Sequence, residues 1–114
     1  MAKFEYNIKG DFNALLTAIE KGILESSISA SYEDGSNFQI EEVQCAVRVY
    51  ERYSMIGKNR VSLNITLLGK GENLFLSAIT SGGSQAVFFK INTFGENTFL
   101  DCLVEIVKEY NNLC

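Results

Sequence analysis

The sequence predicts an α+β domain, an antiparallel sheet with two helices on one of its faces, and three observations carry that prediction. Several short stretches alternate apolar and polar residues at period 2, the signature of half-buried strands. Two other stretches repeat apolar residues at three- and four-residue spacing, as amphipathic helices do. Between the later stretches lie short runs of Gly, Asn, Asp and Ser, which supply the turns of a 114-residue chain without proline.

Phe4, Tyr6 and Ile8 alternate with Lys3, Glu5, Asn7 and Lys9, which predicts a strand with one buried face. Gly10 and Asp11 then open a helix, with Asp11 as its N-cap and Phe12, Leu15, Leu16, Ile19 and Ile23 as its apolar stripe, to about Glu25. Gly22 inside that stripe ends or loosens the last turn. Ser26 and Ser27 break the helix, and Ile28, Ala30 and Tyr32 start a second alternating set. Glu33, Asp34, Gly35 and Ser36 predict a turn, because Asp-Gly tolerates positive φ.

The next strand begins near Glu42. Alternation puts Val43, Cys45, Val47 and Val49 on one face and Gln44, Ala46, Arg48, Tyr50 and Arg52 on the other. The more apolar set is expected under the helices. After a turn at Gly57, Lys58 and Asn59, the residues Val61, Leu63, Ile65 and Leu67 alternate with Ser62, Asn64, Thr66 and Leu68. A turn is predicted at residues 69–73, a strand at 74–80, a turn at 81–84 and a last strand at 86–92, where adjacent Phe88 and Phe89 face opposite sides. Thr93 and Glu96 have capping-box spacing. Phe99, Leu103, Ile106 and Tyr110, with Leu100, Val104 and Val107 beside them, mark a C-terminal helix. The expected order is β-α-β-β-β-β-β-α in one domain, residues 1–114. Short connections make the late strands antiparallel neighbours, and both helices share a face because each has one stripe to bury.

Composition bounds the chemistry. With no histidine, the commonest general base and metal ligand is missing, together with every Ser/His or Cys/His nucleophile pair. Cys45, Cys102 and Cys114 are an odd, widely spaced set that reads as reduced thiols, and no C-x-x-C exists to seat zinc. No apolar run reaches the roughly 20 residues that cross a bilayer, and no signal-peptide stretch opens the chain, so a cytoplasmic protein is expected. A net charge of −4 argues against nucleic-acid or membrane partners. The charge is uneven: residues 48–70 hold Arg48, Arg52, Lys58, Arg60 and Lys70 against the single carboxylate Glu51. That segment reads as a solvated charged hairpin, with an anion- or partner-binding patch as the sharper alternative.

The element order resembles the helix-grip and TATA-binding-protein-like architectures, whose members bind apolar ligands or DNA, act on small substrates or serve as partner modules; fold alone does not choose among these. The segments Cys45-Ala-Val-Arg-Val-Tyr-Glu-Arg-Tyr53, Arg60-Val-Ser-Leu-Asn-Ile-Thr-Leu-Leu-Gly69 and Ser77-Ala-Ile-Thr-Ser-Gly-Gly-Ser-Gln-Ala-Val-Phe-Phe-Lys90 are similar to a small uncharacterised family of Gram-positive bacterial proteins. That resemblance implies no activity.

Two features remain as candidate sites. Ser81, Gly82, Gly83, Ser84 and Gln85 read first as a Gly-Gly hairpin turn, and alternatively as a backbone nest for an anion. The outer sheet face is expected to carry Gln44, Ala46, Arg48, Tyr50, Ser62, Asn64, Thr66 and Ser77, with Arg48, Tyr50 and Arg52 as interface anchors. The expected function is a non-enzymatic binding or oligomerisation module, a homodimer joined through that face, without a cofactor. The alternative is a carrier of a small apolar or anionic molecule. Cys45 is expected in the core, and Glu41-Glu42 and Glu33-Asp34-Gly35-Ser36 as plain turns.

Overall fold

A computed structural model describes residues 1–54, 59–82 and 89–113. Seven elements follow one another: β1 (Ala2–Lys9), α1 (Phe12–Glu25), β2 (Ser31–Ile40), β3 (Val43–Ser54), β4 (Asn59–Lys70), β5 (Asn73–Gly82) and α2 (Phe89–Leu113). The five strands form one antiparallel sheet in the order β1-β5-β4-β3-β2. β2 to β5 are a meander, and α1 carries the chain from the β1 edge to the opposite β2 edge. The predicted α+β class therefore holds.

Asp11 caps α1 as its position predicts: its Oδ2 accepts from the Ala14 N–H at 2.8 Å, a contact worth about 1 kcal/mol. Leu15, Leu16, Ile19 and Ile23 of α1 and Phe99, Leu100, Leu103 and Val107 of α2 are buried against Val61, Leu63, Ile65 and Leu67 of β4 and Leu74, Leu76 and Ala78 of β5. Gly22 does not end α1. It lets α2 approach, since a Cβ there would stand 2.5 Å from Ile106 Cδ1. Two helices about 10 Å apart cover roughly four strands spaced at about 4.8 Å. β2, the fifth strand out from β1, is left beyond the helices and is exposed along most of its length.

Four expectations change. First, β3 is turned over. Its pairing with β4 sets Ala46 opposite Leu67, Arg48 opposite Ile65 and Tyr50 opposite Leu63, so Ala46, Arg48, Tyr50 and Arg52 lie under the helices. Val43, Cys45, Val47 and Val49 take the outer face. Alternation defines two faces of a strand, and strand pairing decides which one is covered. Second, Asp34 and Gly35 are not a turn: β2 runs through them with a bulge between Tyr32 and Asp34, and starts only at Ser31, leaving Ile28 outside it and fully exposed. The expected turns at Glu41-Glu42 and Gly71-Glu72 do form, and Glu41 (φ 52°) and Gly71 (φ 58°) have positive φ there. Third, residues 89–92 are helical, and α2 extends through the Thr93 to Glu96 spacing read as a capping box; residues 86–88 of the expected sixth strand lie outside the described residues. Fourth, Cys45 is buried but on the outer face, away from the core between sheet and helices.

Candidate functional site

The arginines expected on the open face are structural groups of the covered one. Arg48 is 8% exposed, and its Nε donates to Glu20 Oε2 of α1 at 2.7 Å. Its Nη1 donates to the carbonyls of Val47 at 2.9 Å and Ser36 at 3.2 Å. Gly35, opposite Arg48 in β2, makes the room: a Cβ there would meet Tyr32 Oη at 2.6 Å and Arg48 Cδ at 3.0 Å. Arg52 lies over the Phe99 ring at 4.7 Å, a cation–π contact, and its Nη1 donates to Cys102 Sγ at 3.5 Å. Both arginines lay their aliphatic stems under the helices and lead their heads to partners there. Tyr50, 1% exposed, meets Tyr32 edge to face at 5.8 Å. Burial, then the Glu20 carboxylate, push its phenol up to about 12, so it stays protonated at neutral pH.

On β3 the face left open is the more apolar one. The strand register aligns Phe38, Cys45, Leu68 and Phe75 in a row across β2, β3, β4 and β5, ending at Asn7 of β1. Ile40 and Val43 stand together in the row beside it. Phe38 is 52% exposed, Ile40 66% and Leu68 40%. Burial among these neighbours raises the Cys45 thiol above its ordinary range, which keeps it an unreactive thiol. Farther along the strands the face becomes mixed. One row there runs Asp34, Val49, Asn64, Ile79 and Lys3. Beyond it Arg60 joins Glu51 at 2.8 Å and Ser31 at 3.1 Å, and Ser31 Oγ donates to Glu33 at 2.5 Å. Ser62, Asn64, Thr66 and Ser77 are on this outer face as alternation predicts, and Phe75 and Ile79 share it.

Beside α1, where the helix layer stops short of β2, a groove of about 340 Å³ opens, lined by Phe12, Asn13, Asn37, Gln39, Gln44 and Arg48 among others. Sequence reasoning missed it. Its signal was Glu20, a carboxylate flanking the buried stripe of α1, which calls for a cation on the sheet beneath.

The Ser81 to Gln85 loop divides. Ser81 and Gly82 are the paired end of β5, opposite Ser62 and Val61. Gly83, Ser84 and Gln85 lie outside the described residues, as do Lys58 and Cys114. Arg48, Tyr50 and Arg52 are brought together, but beneath the helices, and they do not meet Ser81 or Gly82. Among the described residues no three His, Cys, Asp or Glu side chains converge on a metal site, and no helix is long and apolar enough to cross a membrane.

Comparison with known proteins gives one match: the sequence model of DUF6054, a family of unknown function, fits residues 1–111, so the chain belongs to that family. No curated protein and no solved structure matches it.

Proposed function

Starting from a member of a family without an assigned activity, we propose that this protein is a non-enzymatic self-association module whose outer sheet face packs on the same face of a second copy. The observation that carries this reading is the open apolar row Phe38, Cys45, Leu68 and Phe75, flanked by Ile40 and Val43. A contiguous apolar face without a cover is unusual in a monomer.

Two rows of this face, the apolar one and the mixed one, are self-complementary, which favours a second copy as the partner. β4 is the central strand of the five. A two-fold axis along β4 reverses the strand order of the facing copy, so Leu68 meets Leu68 of the partner subunit and Cys45 meets the partner's Phe75. In the mixed row the same axis sets Val49 against the partner's Ile79 and Asp34 against the partner's Lys3. Stacked sheets settle about 10 Å apart with strands within about 30° of each other, which keeps these rows facing. Five strands of some eight residues span roughly 24 by 26 Å, close to the roughly 800 Å² per partner of a stable complex once side-chain relief is included. We place this dimer in the bacterial cytosol, where three thiols without a disulfide framework are at home, with the helix-grip likeness as a likeness of element order.

Light scattering tests the reading. The wild type is expected at twice 12.7 kDa at micromolar concentration. Leu68→Glu puts two like charges on the axis and should yield a folded monomer. A wild type that stays monomeric at 100-fold higher concentration, or a Leu68→Glu variant that stays dimeric, overturns it.

A further inference from the structure

The groove between α1 and the edge strand β2, whose lining reaches Phe38 and Cys45 at the rim of the open face, has the features of a ligand site. Its one buried polar group is Arg48. Three of the guanidinium's five N–H donors are committed: Nε–H to Glu20 and the two on Nη1 to the carbonyls of Ser36 and Val47. Nη2 makes no hydrogen bond among the described residues. A donor group held rigid on three sides and left open on the fourth is preorganised for an acceptor atom from outside. The groove is also lined by Asn13, Asn37, Gln39 and Gln44, whose carboxamides can each donate and accept. Gln39 Nε2 already donates to the Glu41 carbonyl at 2.8 Å, which leaves the Gln39 carbonyl oxygen as an acceptor. The Phe12 ring supplies an apolar wall. The volume, about 340 Å³, suits a molecule of small-metabolite size.

The charge around Arg48 decides the ligand class. Glu20, 2.7 Å from Nε, already neutralises the guanidinium. A carboxylate arriving at Nη2 would have part of its attraction to Arg48 offset by repulsion from Glu20, and would still lose hydration. The chain's net charge of −4 adds to the disfavour. An uncharged amide escapes these penalties. Its carbonyl oxygen accepts from Nη2, and its N–H donates to a side-chain carboxamide oxygen. We therefore infer that this groove binds a small uncharged ligand bearing an amide group and an apolar body, with Glu20 as the residue that excludes its carboxylate analogue.

Three matched titrations, followed by amide chemical shifts of the isotopically labelled protein, test this. N-acetyl-leucinamide should bind saturably, with shifts at Asn13, Asn37 and Gln44, and N-acetyl-leucine as its carboxylate should bind at least tenfold more weakly. Glu20→Gln frees the charge of Arg48 and should invert that order. Asn37→Ala, a change at an exposed strand position that leaves folding intact, should weaken amide binding about fivefold. Absence of saturable shifts with the amide overturns the proposal, as does a wild type that prefers the carboxylate or a preference that Glu20→Gln leaves untouched. Arg48→Gln adds a further arm if folded, but the outcome does not depend on it.

Discussion

β3 shows one strand solving two problems on its two sides. Toward the helices it presents Ala46, Arg48, Tyr50 and Arg52, and toward the open side Val43, Cys45, Val47 and Val49. The more polar set is the covered one. It can be covered because each guanidinium has a partner on a helix: Glu20 for Arg48, and Phe99 and Cys102 for Arg52. The apolar set has only neighbouring strands, and its uncovered row continues onto Phe38, Leu68 and Phe75. The difference teaches that the covered face is finished within the chain, whereas the open face is the one the proposed second copy would finish.

Substitutions on matched positions of the two faces should separate them. Leu63 and Leu68 share β4 and point oppositely, Leu63 wholly buried and Leu68 40% exposed. Leu63→Ala should cost about 3–4 kcal/mol in urea unfolding, while Leu68→Ala costs below about 1 kcal/mol in dilute, monomeric protein. Equal losses would erase the distinction between the faces.

The second contrast is in pH. Tyr50 has its phenol raised from 10.0 to about 12 by burial and by Glu20. A group whose folded value is raised favours the folded state while protonated, and that advantage is lost as pH climbs from the unfolded value through the folded one. Stability should therefore fall between pH 10 and 12 by roughly 1.4 kcal/mol per unit. Tyr50→Phe should flatten that slope, and an unchanged slope would place the titration elsewhere.

Next come the ion pairs. Arg48→Met should cost about 2 kcal/mol, below the full value for a buried pair because the Glu20 side chain, 38% exposed, can rehydrate. Arg60→Ala, which breaks the pair with Glu51 on the open face, should cost under about 1 kcal/mol, since Arg60 is exposed and Glu51 half-buried. The smallest effects lie at the two turns that hold the rows in register. Gly71→Ala forces a side chain into φ 58° and should cost about 1 kcal/mol, whereas Glu41→Gly relieves φ 52° and should gain about 0.5 kcal/mol, both read from the urea midpoint.

Much of this architecture was legible because it is local. The alternation of β1, β4 and β5, the stripe of α1 and its Asp11 cap stand in the sequence and survive in the structure. The face of β3 was not legible, because the partners that bury its arginines are distant: Glu20 is 28 residues from Arg48 and Cys102 is 50 from Arg52. Hydrophobicity favoured the valines, and pairing with β4 overruled it. Asp34-Gly35 misled for a related reason. That glycine serves space beside Arg48 and Tyr32, while of the two acidic segments read as turns only Glu41-Glu42 forms one. The helical start at Phe89 ran against the β preference of adjacent aromatics. Of the expected site, the use of the outer face is kept in the proposal, but the residues that compose it have changed.

The most direct measurement of the central claim is a mixing experiment on Lys3 and Asp34. In the proposed dimer a two-fold axis along β4 pairs each with the other. Lys3→Asp alone and Asp34→Lys alone each confront like charges twice and should give weakened dimers by native mass spectrometry. Mixed in equal amounts, the two variants restore opposite charges at both contacts, so the heterodimer should dominate over either homodimer. Two variants that dimerise as well alone as the wild type, or a mixture no richer in heterodimer than random exchange gives, would contradict the account.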